Sequence, residues 1–209
     1  MRRRPLLIAA AGITLAAALT GCATNDNAAT MSSPPASSAS ATANGSTTGS
    51  EADTAFAQLM IPHHEQAIEM ADLATANASS PQVKALAAQI KTAQDPEIQT
   101  MTQWLTSWGA PTMMATPSDG GMDHGGMDMG GMTEAGMMSA EDMAALARAT
   151  GSDFDTMWLQ MMITHHQGAI AMAQQVSETT TNPDVKALAD AIIAGQTAEI
   201  ATMQQLLAE

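Results

Sequence analysis

The sequence predicts an all-α fold, a four-helix bundle built from two duplicated helical hairpins joined by a long Met/Gly-rich crossover. Two observations carry that prediction. The apolar period is helical throughout, and aromatic residues, which strands favour, make up only 2% of the chain. The chain also repeats itself at a constant offset of 102 residues. Met60-Ile61-Pro62-His63-His64 reads against Met162-Ile163-Thr164-His165-His166, and Pro81-Gln82-Val83-Lys84-Ala85-Leu86-Ala87 against Pro183-Asp184-Val185-Lys186-Ala187-Leu188-Ala189. The match continues through Gln94/Gln196, Glu97/Glu199, Ile98/Ile200 and Met101/Met203.

Residues 1–21 read as a lipoprotein signal peptide. Arg2-Arg3-Arg4 is a positive leader, and Leu6 to Leu19 is apolar but short for a membrane span. Leu19-Thr20-Gly21-Cys22 resembles the lipobox of bacterial lipoproteins, which makes Cys22 the lipidation site. Residues 22–52 are small and polar with almost no large apolar side chain, as expected of a flexible tether. Some thirty such residues reach roughly 30 Å on average.

The duplicated domain, 53–209, divides into copy one (53–108), the crossover (109–138), and a short helix with copy two (139–209). Asp53 is the expected N-cap of the first helix, whose stripe is Phe56, Met60, His63, Ala67, Met70 and Ala74. Ser80-Pro81 opens the second, with proline at the first helical position, and Trp108-Gly109-Ala110-Pro111 ends it. Ser139-Ala140-Glu141-Asp142 reads as a capping box for a short extra helix broken by Gly151. Asp153 or Asp155 is the expected cap of the next helix, and Asn182-Pro183 opens the last. Pro96 and Gly195 weaken the two outer helices beside Gln94 and Gln196, either as kinks that make room for a site or as tolerated strain.

Cys22 is the only cysteine, so no thiolate remains for metal or disulfide chemistry in the lipidated chain. The formal charge of −14 includes three leader arginines, so the mature chain is three units more negative, −17. Such a surface repels nucleic acid and anionic lipid headgroups, which leaves the lipid anchor as the only membrane contact. Four of five histidines lie in the two His-His pairs. Adjacent helical residues point about 100° apart, so one histidine of each pair is expected in the core and its neighbour at the flank. With Met60, Met70 and Met101 in copy one, and Met162, Met172 and Met203 in copy two, they offer imidazole and thioether donors suited to Cu(I). Glu97 and Glu199 are placed to accept from imidazole N–H groups or to ligate directly. Methionine at helical spacing also fills cores, and a buried histidine paired with glutamate needs no metal.

A di-iron carboxylate bundle requires four glutamates, two of them in Glu-x-x-His. Here Glu65 and Glu69 become Gln167 and Ala171, and no histidine follows Glu97 or Glu199 at the third position. Between the copies, residues 113–138 carry eight of the nineteen methionines with no helical or strand period. Met122, His124, Met127, Met129 and Met132 make its centre a candidate soft-metal segment resembling Met-rich stretches of bacterial copper-resistance proteins.

The doubled MI-x-HH-x-x-A-I-x-MA motif, the Gln-x-x-Glu-Ile-x-x-Met helices and Gly-Ser-Asp-Phe-Asp at 151–155 resemble the bacterial family catalogued as domain of unknown function 305. The resemblance covers about residues 53–209. It implies a ferritin-like, usually exported bundle with a link to copper, carried by His63, His64, Met60, Met70, His165, His166, Met162 and Met172. The expected function is a lipid-anchored extracytoplasmic protein that buffers, sequesters or hands on Cu(I), with another copper-handling protein as a candidate partner. No nucleophile, oriented base or nucleotide loop is present, so no enzymatic activity is expected. The rival classes are a di-iron or copper oxidase of the bundle interior and an interaction scaffold without metal.

Overall fold

The computed structural model describes residues 49–112 and 136–209. Cys22, Met122, His124, Met127, Met129 and Met132 lie outside them, as do the leader and most of the tether. Five helices follow in order: α1 (Glu51–Asn77), α2 (Pro81–Trp108), α3 (Ala140–Arg148), α4 (Gly151–Thr179) and α5 (Pro183–Leu207). The chain is an all-α helical bundle. Helix α1 packs along α2, α4 packs along α5, and the two hairpins meet mainly through α1 against α4. The short α3 lies against both α1 and α4. Among the described residues no helix is long and apolar enough to cross a membrane.

Helix boundaries follow local chemistry in four cases. Ser80 and Asn182 cap α2 and α5 ahead of proline, Ser139 and Asp142 form the capping box of α3, and Gly109 closes α2 at φ 68°. The first cap differs from the sequence expectation. Ser50, not Asp53, is the N-cap of α1, and Asp53 is its capping-box partner, accepting from Ser50 N at 3.0 Å. Neither Asp153 nor Asp155 caps α4; that position belongs to Thr150, which makes no side-chain cap bond.

The two aspartates are instead drawn across the hairpin interface. Asp155 accepts from Ser79 N at 3.0 Å, from Ser80 N at 2.9 Å, and from the Ser79 hydroxyl, holding the α1–α2 turn. Asp53 accepts from Thr180 Oγ1 at 2.6 Å, holding the α4–α5 turn. Asp53 and Asp155 occupy matched positions, so each copy fastens the turn of the other.

The core is likewise exchanged. One cluster joins Met70, Ala71, Val83 and Ile90 of copy one to Phe154, Trp158, Met162 and Met203 of copy two. The other joins Phe56, Met60, Met101 and Leu105 to Met172, Val176, Val185 and Ile192. Trp158 Nε1 donates to Met70 O at 2.9 Å, tying α4 to α1 inside the first cluster. The two clusters leave the middle of the bundle to the polar side chains described next.

Candidate metal centre

All four helical histidines are buried, with 0–2% exposure. This corrects the expectation that one of each pair lies at the flank. The physical reason is that α1 and α4 each have two long helical neighbours. A turn of about 100° carries one histidine from facing one neighbour to facing the other. His64 reaches α2, where Nε2 lies 2.7 Å from Glu97 Oε2, and His166 reaches α5, 2.8 Å from Glu199 Oε2. His63 and His165 face each other across α1 and α4, with ring centroids 3.8 Å apart and planes tilted by 41°.

A carboxylate only accepts, so His64 and His166 donate from Nε2 to Glu97 and Glu199, an arrangement in which the Nδ1 of a neutral ring keeps its lone pair. Those Nδ1 atoms of His64 and His166 are buried with no hydrogen-bond partner among the described residues. Gln94 and Gln196, one turn from the glutamates, are also buried, and both polar atoms of each amide lack a partner there. Leaving such groups unsatisfied costs about 1–3 kcal/mol each. These amides are absent from the sequence-derived ligand set; their signal is the Gln-x-x-Glu spacing common to both copies. Burial holds the His165 pKa well below 6.5, reinforced by the neighbouring His63, His166 and His64. A neutral ring is the form that binds metal.

The six methionines named with the histidines bracket this layer. Met60, Met101 and Met172 belong to one apolar cluster, and Met70, Met162 and Met203 to the other. All six are buried in the core. Among the described residues no three His, Cys, Asp or Glu side chains are gathered as a metal site. The tilted His63 and His165 rings meet at the centre of this layer. Helix α1 contains Pro62 and α2 contains Pro96, each beside a site residue. Proline removes a helical hydrogen bond, which loosens copy one at this level, where copy two has Thr164 and Ala198.

The family description "Domain of unknown function (DUF305)" matches residues 53–207. The chain belongs to the DUF305 family. Among solved structures, a DUF305 protein from Streptomyces coelicolor described as secreted is 31% identical with a TM-score of 0.67, over 75% of this chain and 92% of that one. A DUF305 fragment from Deinococcus radiodurans is 28% identical with a TM-score of 0.64, over 77% and 98%. CopM in its Cu(II)-bound form is 35% identical with a TM-score of 0.59, over 74% and 95%. CopM has also been solved in Cu(I)-bound, silver-bound and metal-free forms. No match was found among curated proteins.

Proposed function

We propose that this chain is an exported copper-binding protein, lipid-anchored through Cys22, that buffers copper or hands it on rather than catalysing a reaction. The observation that carries the reading is the buried layer of four imidazoles. Two of its Nδ1 atoms have no partner among the described residues, and carboxylates fix their tautomers from behind. That is the donor state and backing a metal-bound histidine needs. Kinship to CopM, whose structures hold Cu(I) and Cu(II), supports copper as the ion. The secreted description of the Streptomyces relative supports export.

In this reading the Met-rich crossover captures Cu(I) and the histidine layer stores it. The experiment removes the segments in turn. Deleting residues 113–135 should leave some copper bound per chain, measured by metal analysis after dialysis. Adding His63→Ala and His165→Ala should remove the share of it that the histidine layer holds and so lower the copper content further. An unchanged copper content in that combined variant would return these histidines to core packing.

A further inference from the structure

We infer that Met138, Met143, Met157 and Met161 form a second soft-metal site, a thioether patch at the junction of α1, α3 and α4 that takes a monovalent soft cation. The four residues are half-buried and pack against one apolar cluster. They arrive from three pieces of chain. Met157 and Met161 lie one turn apart on α4, Met143 sits on α3, and Met138 belongs to the segment leading into α3. Helix α3 touches both α1 and α4, and all four side chains pack against the same apolar cluster.

The duplication provides an internal control. The positions matching Met157 and Met161 are Ala55 and Leu59, so copy one builds the same helix with no sulfur at those two positions. Leu59 packs half-buried against the opposite cluster, which shows that filling this position does not require methionine. Thioethers stand on α4, and the segment leading into α3 and α3 itself supply two more against the same cluster.

Met138 is also held in place. Gln66 Nε2 donates to Met138 O at 2.9 Å, and Met138 N donates to Gln66 Oε1 at 2.7 Å. Two residues earlier, Gly136 has φ 76° and runs so close to α4 that a Cβ would lie 2.6 Å from Thr164 O and 3.0 Å from Gly168 Cα. Gln66 and Gly168 are matched positions of the two copies. One supplies the clamp and the other the clearance for the same short segment. With its backbone pinned, Met138 loses less conformational freedom on binding an ion. Uncharged, polarisable sulfur at half exposure suits Cu(I) or Ag(I) far better than hard divalent ions.

Copper as the cargo rests on the function proposed above, but the patch shares no residue with the histidine layer and can fail separately. The test is a titration of the full chain, carrying 13C-labelled methionine methyls, with silver nitrate, read by NMR. Single Met→Leu substitutions assign the signals. The Met138, Met143, Met157 and Met161 signals should shift together along one saturation curve. Met157→Leu with Met161→Leu, which preserves side-chain bulk, should weaken the response of the other two at least tenfold. The patch is overturned if these four signals stay still while other methionines respond, or if the double variant leaves the Met138 and Met143 curve unchanged. If no methionine signal responds to silver, and metal analysis of the same protein after copper loading and dialysis finds no copper bound, the copper-binding function falls with it.

Discussion

His63 and His64 are neighbours in sequence with different tasks in space. His64 and its counterpart His166 are backed by Glu97 and Glu199, at 2.7 and 2.8 Å. A carboxylate behind an imidazole raises its basicity as a ligand, whereas an amide keeps the hydrogen bond and withdraws the charge. Glu97→Gln with Glu199→Gln should therefore keep the melting temperature within a few degrees while weakening copper binding about 10–100-fold. Equal affinity in a competition titration would show that the glutamates only satisfy the rings. His165 gives a pH prediction. Burial depresses its pKa below 6.5, so the unfolded chain takes up a proton as pH falls through that value while the folded chain does not. The stability this residue contributes is full above about pH 6.5 and declines as pH falls toward the folded pKa. Metal-free protein should lose denaturant resistance on moving from about pH 7 to about pH 5, and His165→Gln should flatten that slope. A slope unaffected by the substitution would place the acid sensitivity elsewhere.

At the level of elements, what was legible in the sequence is what local chemistry determines. Ser80-Pro81, Asn182-Pro183, the Ser139 box and the Gly109 stop each act within a few residues, and the helices begin and end there. Asp53 and Asp155 look like caps locally, but their decisive partners, Thr180 and the Ser79-Ser80 turn, are remote in sequence and meet them only after the hairpins dock. The His64–Glu97 and His166–Glu199 pairs were legible for the opposite reason. Each lies within one hairpin, and the duplication displays the same spacing twice. The contact of His63 with His165 depends on how α1 crosses α4, which periodicity does not encode. The exchanged aspartates make the docking itself testable. Asp155→Ala removes the acceptor for two backbone N–H groups and a hydroxyl and should cost about 2–3 kcal/mol in urea unfolding. A loss below about 0.5 kcal/mol would mean that water replaces the carboxylate without penalty and that the apolar clusters alone hold the hairpins together.

For the whole molecule, the decisive chemical fact is that soft donors are plentiful while thiols are not. Cys22 is the single cysteine, whereas methionine occurs nineteen times. Thioether sulfur carries no proton to lose, so its affinity for Cu(I) should be nearly constant across the range where exposed imidazole becomes protonated. The crossover and the buried layer then differ in a way the intact chain can reveal. Cu(I) held by residues 113–138 should survive a change from about pH 7 to about pH 5, because eight methionines there stand against one histidine, His124. Conversion of those methionines to sulfoxides makes each side chain polar and removes the soft donor, so peroxide treatment of a peptide spanning 113–138 should abolish its Cu(I) and Ag(I) binding. The Met60, Met101, Met162 and Met203 side chains are fully buried and should resist the same treatment in the folded protein. Mild oxidation of the full chain should therefore strip the crossover of its copper first and leave the fraction bound in the histidine layer. A crossover peptide that binds Cu(I) equally well after complete oxidation, or that prefers Cu(II), would remove methionine from the account of capture and leave His124 and the neighbouring aspartates to explain it.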